Sequence, residues 1–379
     1  MLYLDNAATT PIRPEVLEAM TPYLTTVFGN PSSVHTVGEQ AASALDDARS
    51  RVAAVLGMRR GDIVFTSGGT EANNLAVKGI AIAAQVERGA RRVVTTPVEH
   101  ESILASADYL RRIHGFTVDL LPVDEVGRVT ADDLAAVLAA DTALVAIGYA
   151  NNETGTVQDA AALAHVAKQA GVVLHLDAVQ AAGWLPLQGL GADALAIAGH
   201  KLGAPKGTGI LAVRGRVSIE PLLHGGGQER GRRSGTPDVA GAVGFSTALE
   251  LAAREQEESA RRVGAWRDAF VARVHELVPG ARSTGDPAHH LPGTAGFVFP
   301  GTSGEAILLE LERRGVVSSS GSACAAGSDE PSHVLTAIGI DADLARTAVR
   351  LTFPHDLDSP LDRVADAVAA AVTAVRSAG

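Results

Sequence analysis

The chain has 379 residues, 46% of them hydrophobic, enough for one large or two medium domains with a substantial core. Its formal net charge of -11 argues against nonspecific nucleic-acid binding. No apolar run approaches the ~20 residues of a membrane span, and the start, MLYLDNAATTP, has neither a basic nor an apolar segment, so no signal peptide is expected. A single cysteine excludes an internal disulfide and a cysteine-built zinc cluster, no metal site is expected, and the expected compartment is a reducing cytoplasm.

From about Val37 to about Val213, helical and strand patterns alternate. Ala41, Leu45, Ala48, Val52, Val55 and Leu56 share one helical face, which Gly57 closes. Ile63-Val64-Phe65 is a short strand; Ser67-Gly68-Gly69-Thr70 follows, then a helix with Ala72, Leu75, Ala76 and Ile80 inward. Val93-Val94 leads to Glu99-His100, and a buried strand from Ala143 to Ile147 leads to Asn151-Asn152. A helix over 159–170 starts at a capping Asp159 and stops at Gly171. Val172 to Leu176 runs into Asp177, Ala194 to Ala198 into His200-Lys201, and Ile210 to Val213 returns as a hairpin after a glycine-rich turn.

This alternation predicts an α/β fold with a mostly parallel sheet covered by helices, where ligands bind beyond the carboxyl ends of strands. Thr70, His100, Asn152, Asp177 and Lys201 each follow a strand, so five strand ends deliver polar groups to one rim. After about Leu249 a charged helix, AAREQEESARRVGAWRDAFVARV, reads as a connector to a second α+β domain.

In GHKLGAPKGTG, Lys201 stands at a strand end between His200 and glycines. A lysine there suits covalent bonding to an aldehyde cofactor, and equally an ordinary loop; Lys206 is its rival, five residues further from the strand. Asp177 in LHLDAVQAAG suits the buried carboxylate that keeps the ring nitrogen of pyridoxal 5'-phosphate (PLP) protonated, and Gln180 could reach the ring's phenolic oxygen. The same aspartate also fits a helix N-cap, but a strand–crossover–strand unit brings it to the rim that holds Lys201, 24 residues on. SGGTEANN reads as a phosphate cup, with small residues such as Gly69 at a helix N-terminus and a hydroxyl donor on Thr70; it is also a common strand-to-helix turn. His100 in VEHES could stack on a flat cofactor and move protons near neutral pH. The chain has no G-x-G-x-x-G after a strand and no G-x-x-x-x-G-K-[ST], which disfavours a dinucleotide fold and a nucleotide hydrolase.

Cys324 sits in VVSSSGSACAAGSDEPSHVL, flanked on both sides by small polar residues. A structural cysteine normally has large apolar neighbours in a periodic pattern, so this one reads as a thiol that travels to a substrate, against the alternative of an incidental loop cysteine.

On these residues the chain resembles the cysteine desulfurases of the class V aminotransferase fold. The likeness runs from YLDNAATTP at 3–11 to VRLTF at 349–353, through SGGTEANN, VEHES, NNETG, LDAVQAAG, GHKLGAPKGTG, RRSGTPDVAG and SSGSACAAGSDEPSHVL. The long serine-rich cysteine segment resembles the group with the extended catalytic loop. The resemblance implies an aspartate-aminotransferase-like fold, with a large PLP-binding domain over 14–253 and a small domain of 1–13 and 254–379 that carries the cysteine loop. It implies that Lys201 bonds PLP, Asp177 holds the pyridine nitrogen, Gln180 the phenolic oxygen, and His100 stacks on the ring. Gly69, Thr70 and His200 would bind the phosphate, with Thr236 reaching in from the other subunit of a homodimer. Asn152 and Arg350 would fix the substrate carboxylate, Arg350 by a two-pronged contact.

The implied activity converts L-cysteine to L-alanine and leaves a persulfide on Cys324 for a sulfur-acceptor protein, an iron–sulfur scaffold or a thiolation enzyme such as one acting on tRNA. A selenocysteine lyase, a cysteine sulfinate desulfinase and a class V aminotransferase are the alternatives. Three departures from the family pattern stand out. Ala198 replaces a common phosphate-binding serine, Thr352-Phe353-Pro354-His355 replaces a small-residue-Gly-Arg stretch, and the chain ends at VRSAG without an extended tail.

Overall fold

The computed structural model describes residues 1–321 and 330–378. Seven strands form the main sheet, in the order Ile63–Thr66, Gly209–Val213, Ala194–Ala198, Val173–Asp177, Thr142–Gly148, Arg92–Thr95 and Thr117–Leu120. Gly209–Val213 pairs antiparallel with both neighbours, and the remaining pairs are parallel. It is the hairpin return expected after Ala194–Ala198. Both strands are buried at every residue, which explains their continuous apolar runs in place of alternation. Side chains then divide by the period of two: Val145 and Ile147 pack with Leu163 and Leu174 on one face, Leu144 and Ala146 with Leu75, Ile80 and Ile103 on the other.

The expected stops hold. Gly57 closes the helix Thr36–Leu56 at φ +61°, a left-handed conformation that glycine adopts without cost. The Asp159 carboxylate accepts from the Ala162 N–H at 3.0 Å to cap Ala160–Gln169. The helix after Ser67-Gly68 differs in one respect. It is α over Gly69–Asn74, widens to a π turn over Leu75–Ile80, and resumes as α over Ala81–Arg88. The Glu220 N–H donates to the Gly79 carbonyl at 3.0 Å, so an outside donor takes a carbonyl from the helical ladder at the widened turn.

The charged connector belongs to a longer helix than expected, Val239–Leu277, 39 residues in length. Its first half buries Phe245, Ala248 and Leu249 against the main sheet's core. Its second half buries Val263, Phe270 and Val274 in another core with Phe297, Phe353 and Val368. The change of charge at Leu249 marks a change of neighbours, not a helix boundary. The second core is built on the antiparallel strands Arg282–Ser283, Thr294–Val298 and Ala348–Thr352, with the helices Gly304–Arg313 and Asp362–Ala378. Leu2–Tyr3 pairs in parallel with Val316–Val317, and Leu4 is buried in this core. Among the described residues no helix is long and apolar enough to cross a membrane.

Candidate active site

The parallel strands end on one edge of the sheet, and a cavity of about 790 Å³ opens there. Thr70, His100, Asn152, Asp177 and Lys201 all line it, as do Gly69, Gln180, His200 and Arg350. Thr236 instead lines a smaller cavity of about 120 Å³, beside Ser67 and Gly207. Cys324 lies outside the described residues. Gly321 and Glu330, which bound the undescribed stretch on its two sides, both line the main cavity.

Lys201 ends the short turn Gly199–Lys201 that follows Ala194–Ala198. Its half-buried Nζ donates to the carbonyls of Ala7 and Ala8, the latter at 2.6 Å. Lys206 is exposed and donates at 3.3 Å to the carbonyl of Thr10. Asp177 is 9% exposed. One of its carboxylate oxygens accepts from Asn73 Nδ2 at 2.6 Å, the other from the Val179 N–H at 2.9 Å. Both donors are neutral, and among the described residues Asp177 has no ion-pair partner. Gln180 Nε2 donates to the Ala7 carbonyl at 3.1 Å.

Gly69 and Thr70 open the helix whose leading N–H groups lack intrahelical partners. A Cβ on Gly69 would lie 2.8 Å from Val179 Cγ2 and 3.3 Å from the Ala198 Cβ, so only glycine lets this turn close against both neighbours. The two motifs SGGTEANN and RRSGT meet through Glu71, which accepts from Arg233 Nε at 2.9 Å and from the Ser67 N–H at 2.7 Å. Burial works against the ionised form of Glu71, but these bonds outweigh it and hold the carboxyl below its ordinary range.

His200 lies beside Thr9, with Nδ1 and Oγ1 3.2 Å apart. Burial, reinforced by the charges of Lys201 and Lys206, pulls its pKa down to about 4, so it is neutral at physiological pH. His100 caps the helix Glu101–His114, its Nδ1 accepting from the Ser102 N–H at 3.1 Å. Its neighbour Glu99 is buried, accepts from Thr96 Oγ1 at 2.7 Å and from the Gly148 N–H at 2.6 Å, and is pushed up to about 8 by burial, with the Asp177 charge adding to the shift.

Arg350, 3% exposed, lies in the strand Ala348–Thr352. Its Nη1 donates to the carbonyls of Asn152 at 2.9 Å and Gly321 at 3.0 Å, and its Nη2 donates to Asp5 at 2.8 Å. A guanidinium has five N–H donors. Among the described residues the buried Nε–H has no partner. The departing stretch after Arg350 is packed: Thr352 Oγ1 accepts from the Ala7 N–H at 2.8 Å, Phe353 meets Phe270 edge-on, and His355 stacks on Trp184 with ring centroids 3.8 Å apart.

Several site residues escape the strand-end pattern. Asp5, Asn73, Ser102 and His175 each lie inside or beside a recognised motif yet carry no local signal of their own. His175 was legible in one sense, since it stands two residues before Asp177 on the same face of a strand.

The residues fit PLP by the chemistry of the donors and acceptors. A buried carboxylate with only neutral partners suits a cationic ring nitrogen, an amine stands across the same cavity, and a glycine-opened helix start suits a phosphate. A sheet of this order with such a site defines an aminotransferase-type fold. The model of the family described as aminotransferase class-V matches residues 2–357. The cysteine desulfurase IscS of Dictyoglomus turgidum is 42% identical over 368 residues, covering 95% of this chain and 93% of that one. An IscS-like cysteine desulfurase of Mycobacterium tuberculosis is 44% identical, covering 100% of this chain and 99% of that one. Among solved structures, a NifS-like protein superposes with a TM-score of 0.89 at 35% identity, covering 100% of this chain and 98% of that one. The chain belongs to the class V aminotransferase family, among its cysteine desulfurases, a PLP-dependent group.

Proposed function

We propose that the protein takes sulfur from L-cysteine onto Cys324 and releases L-alanine. The observation that supports this most is the position of Gly321 and Glu330. Both neighbours of the undescribed cysteine stretch stand in the wall of the cavity that holds Lys201, Asp177, His100 and Arg350. An aminotransferase needs no thiol there.

Lys201 would hold PLP, Asp177 its ring nitrogen, Gln180 its phenolic oxygen, and Gly69, Thr70 and His200 its phosphate, with Thr236 supplied by the second subunit of a homodimer. When bound, PLP supplies an electron sink for the carbon that loses its proton. Arg350, in the wall of the cavity, would bind the cysteine carboxylate, with Asn152 beside it. Lys201 would move the proton at Cα. His100 would lie against the ring face and exchange a proton with the substrate. Cys324 would attack the substrate sulfur as thiolate: the S–S bond forms as the substrate Cβ–S bond breaks, the electron pair of that bond stays with Cβ and takes up a proton there, a persulfide remains on the protein, and alanine departs. A sulfur-acceptor protein then takes the persulfide sulfur.

The test is alanine formation from cysteine by the PLP-loaded protein, with mass spectrometry of the chain. The wild type forms alanine and gains one sulfur on Cys324. Cys324→Ala keeps the bound cofactor's absorbance but forms no alanine. Undiminished alanine formation by Cys324→Ala overturns the proposal, and transamination by that variant would favour the aminotransferase alternative.

A further inference from the structure

At the cavity wall five side chains form one hydrogen-bonded network. His175 Nε2 meets Asn73 Oδ1 at 2.9 Å. Asn73 Nδ2 donates to Asp177 Oδ2 at 2.6 Å and to Ser102 Oγ at 2.9 Å. Ser102 Oγ lies 2.7 Å from His100 Nδ1. His175 and Asn73 are 0% and 1% exposed, Ser102 and Asp177 are also buried, and His100 is partly exposed.

Elementary donor and acceptor counting fixes every proton. The carboxylate of Asp177 accepts only, so the amide nitrogen of Asn73 faces it. That nitrogen has two hydrogens, and both are spent, one on Asp177 and one on Ser102. The amide oxygen then needs a donor, which is the Nε2–H of His175. Burial holds His175 down to about 4, consistent with a neutral ring carrying one N–H. The Ser102 hydroxyl, accepting from Asn73, has one hydrogen left, and it goes to His100 Nδ1. The Ser102 N–H also donates to that nitrogen. A backbone N–H cannot accept, so Nδ1 is unprotonated and the His100 proton sits on Nε2.

We propose that Asn73 and Ser102 are positioning residues that join Asp177 to His100, Asn73 aiming the carboxylate and Ser102 fixing His100 as the tautomer protonated at Nε2. This rests on the proposed roles of Asp177 and His100 toward PLP. One amide thereby sets the two groups assigned to the ring, the acid partner at its nitrogen and the imidazole on its face. With its proton on Nε2, the resting ring is a donor at that nitrogen.

The experiment is nitrogen NMR of the purified full-length protein labelled with ¹⁵N-histidine, the His100 signals being those lost in His100→Gln. Wild type shows an unprotonated Nδ1 and a protonated Nε2. Ser102→Ala shifts the Nδ1 resonance and lowers kcat for alanine formation about tenfold with KM held, as expected for the loss of one hydrogen bond; Ser102→Thr, which keeps the hydroxyl, restores both. Asn73→Ala moves the visible band of the PLP-loaded protein, whereas Ser102→Ala does not. A protonated His100 Nδ1 in the wild type overturns the inference without needing any variant to fold. So does a Ser102→Ala protein that matches wild type in both resonances and kcat. A wild type with the stated tautomer that forms no alanine supports the positioning and sinks the desulfurase reading instead.

Discussion

Arg350, which lines the cavity, donates to Asp5 at 2.8 Å across 345 residues of chain. The pair ties the start of the chain to the strand Ala348–Thr352, and it partly neutralises the guanidinium assigned to the substrate carboxylate. The Asp5 oxygen holds Arg350 in place, but its charge competes with any second carboxylate.

Asp5→Asn keeps an acceptor for Nη2 and removes the competing charge. The KM for cysteine therefore falls several-fold, while Arg350→Lys, which loses the fork, raises it roughly 10- to 100-fold, the worth of a hydrogen bond to a charged group. Initial rates of alanine formation against cysteine concentration give both values. A raised KM in Asp5→Asn would mean that the charge of Asp5 assists binding.

Lys201→Ala abolishes the visible absorbance of the lysine-bound cofactor, and Lys206→Ala retains it. Both lysines line the cavity, but Lys201 is half-buried and held by the Ala7 and Ala8 carbonyls, whereas Lys206 is exposed and donates to the Thr10 carbonyl. Spectra of the two purified variants with added PLP decide between them, and the reverse pattern would transfer the role to Lys206.

Ala198 ends its strand 1% exposed, lines the cavity and stands against Gly69. A serine hydroxyl there adds a donor beside the helix start assigned to the phosphate. Ala198→Ser tightens PLP at least tenfold, as roughly 1.5–3 kcal/mol for a bond to a charged acceptor requires. Fluorescence titration of PLP-free protein measures it; an unchanged Kd would show that another group already fills the place.

The strand-end residues were legible because a short apolar run followed by a polar side chain is a local pattern, and a parallel sheet sends every such end to one edge. Thr70, His100, Asn152, Asp177 and Lys201 share the cavity for that reason. The Arg350–Asp5 contact was not legible, since no local pattern reports a partner 345 residues away. The amide of Asn73 was hidden differently. It lies within SGGTEANN, but a neutral side chain among small residues carries no signal until the strand Val173–Asp177 is packed against its helix. The π turn at Leu75–Ile80 likewise depends on a contact with Glu220, far along the chain.

Glu99 makes the protein's stability fall as pH rises, and Glu99→Gln removes that fall. The buried carboxyl has its pKa raised from 4.5 to about 8, mainly by burial and then by the charge of Asp177, against hydrogen bonds from Thr96 and Gly148. Between those two values the folded protein holds a proton that the unfolded chain has released. The stabilisation is therefore complete below about 4.5 and is lost as pH climbs through about 8. Glutamine matches the protonated acid in shape: its oxygen accepts from the Gly148 N–H, and its amide nitrogen donates to Thr96 Oγ1. It has nothing to ionise. The melting temperature of Glu99→Gln minus that of wild type should thus increase steadily from pH 5 to about pH 8 and level off above it. Thermal melts of both proteins across that range give the difference directly. A difference that is flat with pH would show that Glu99 is ionised in the folded protein throughout, and that the bonds from Thr96 and Gly148 outweigh its burial.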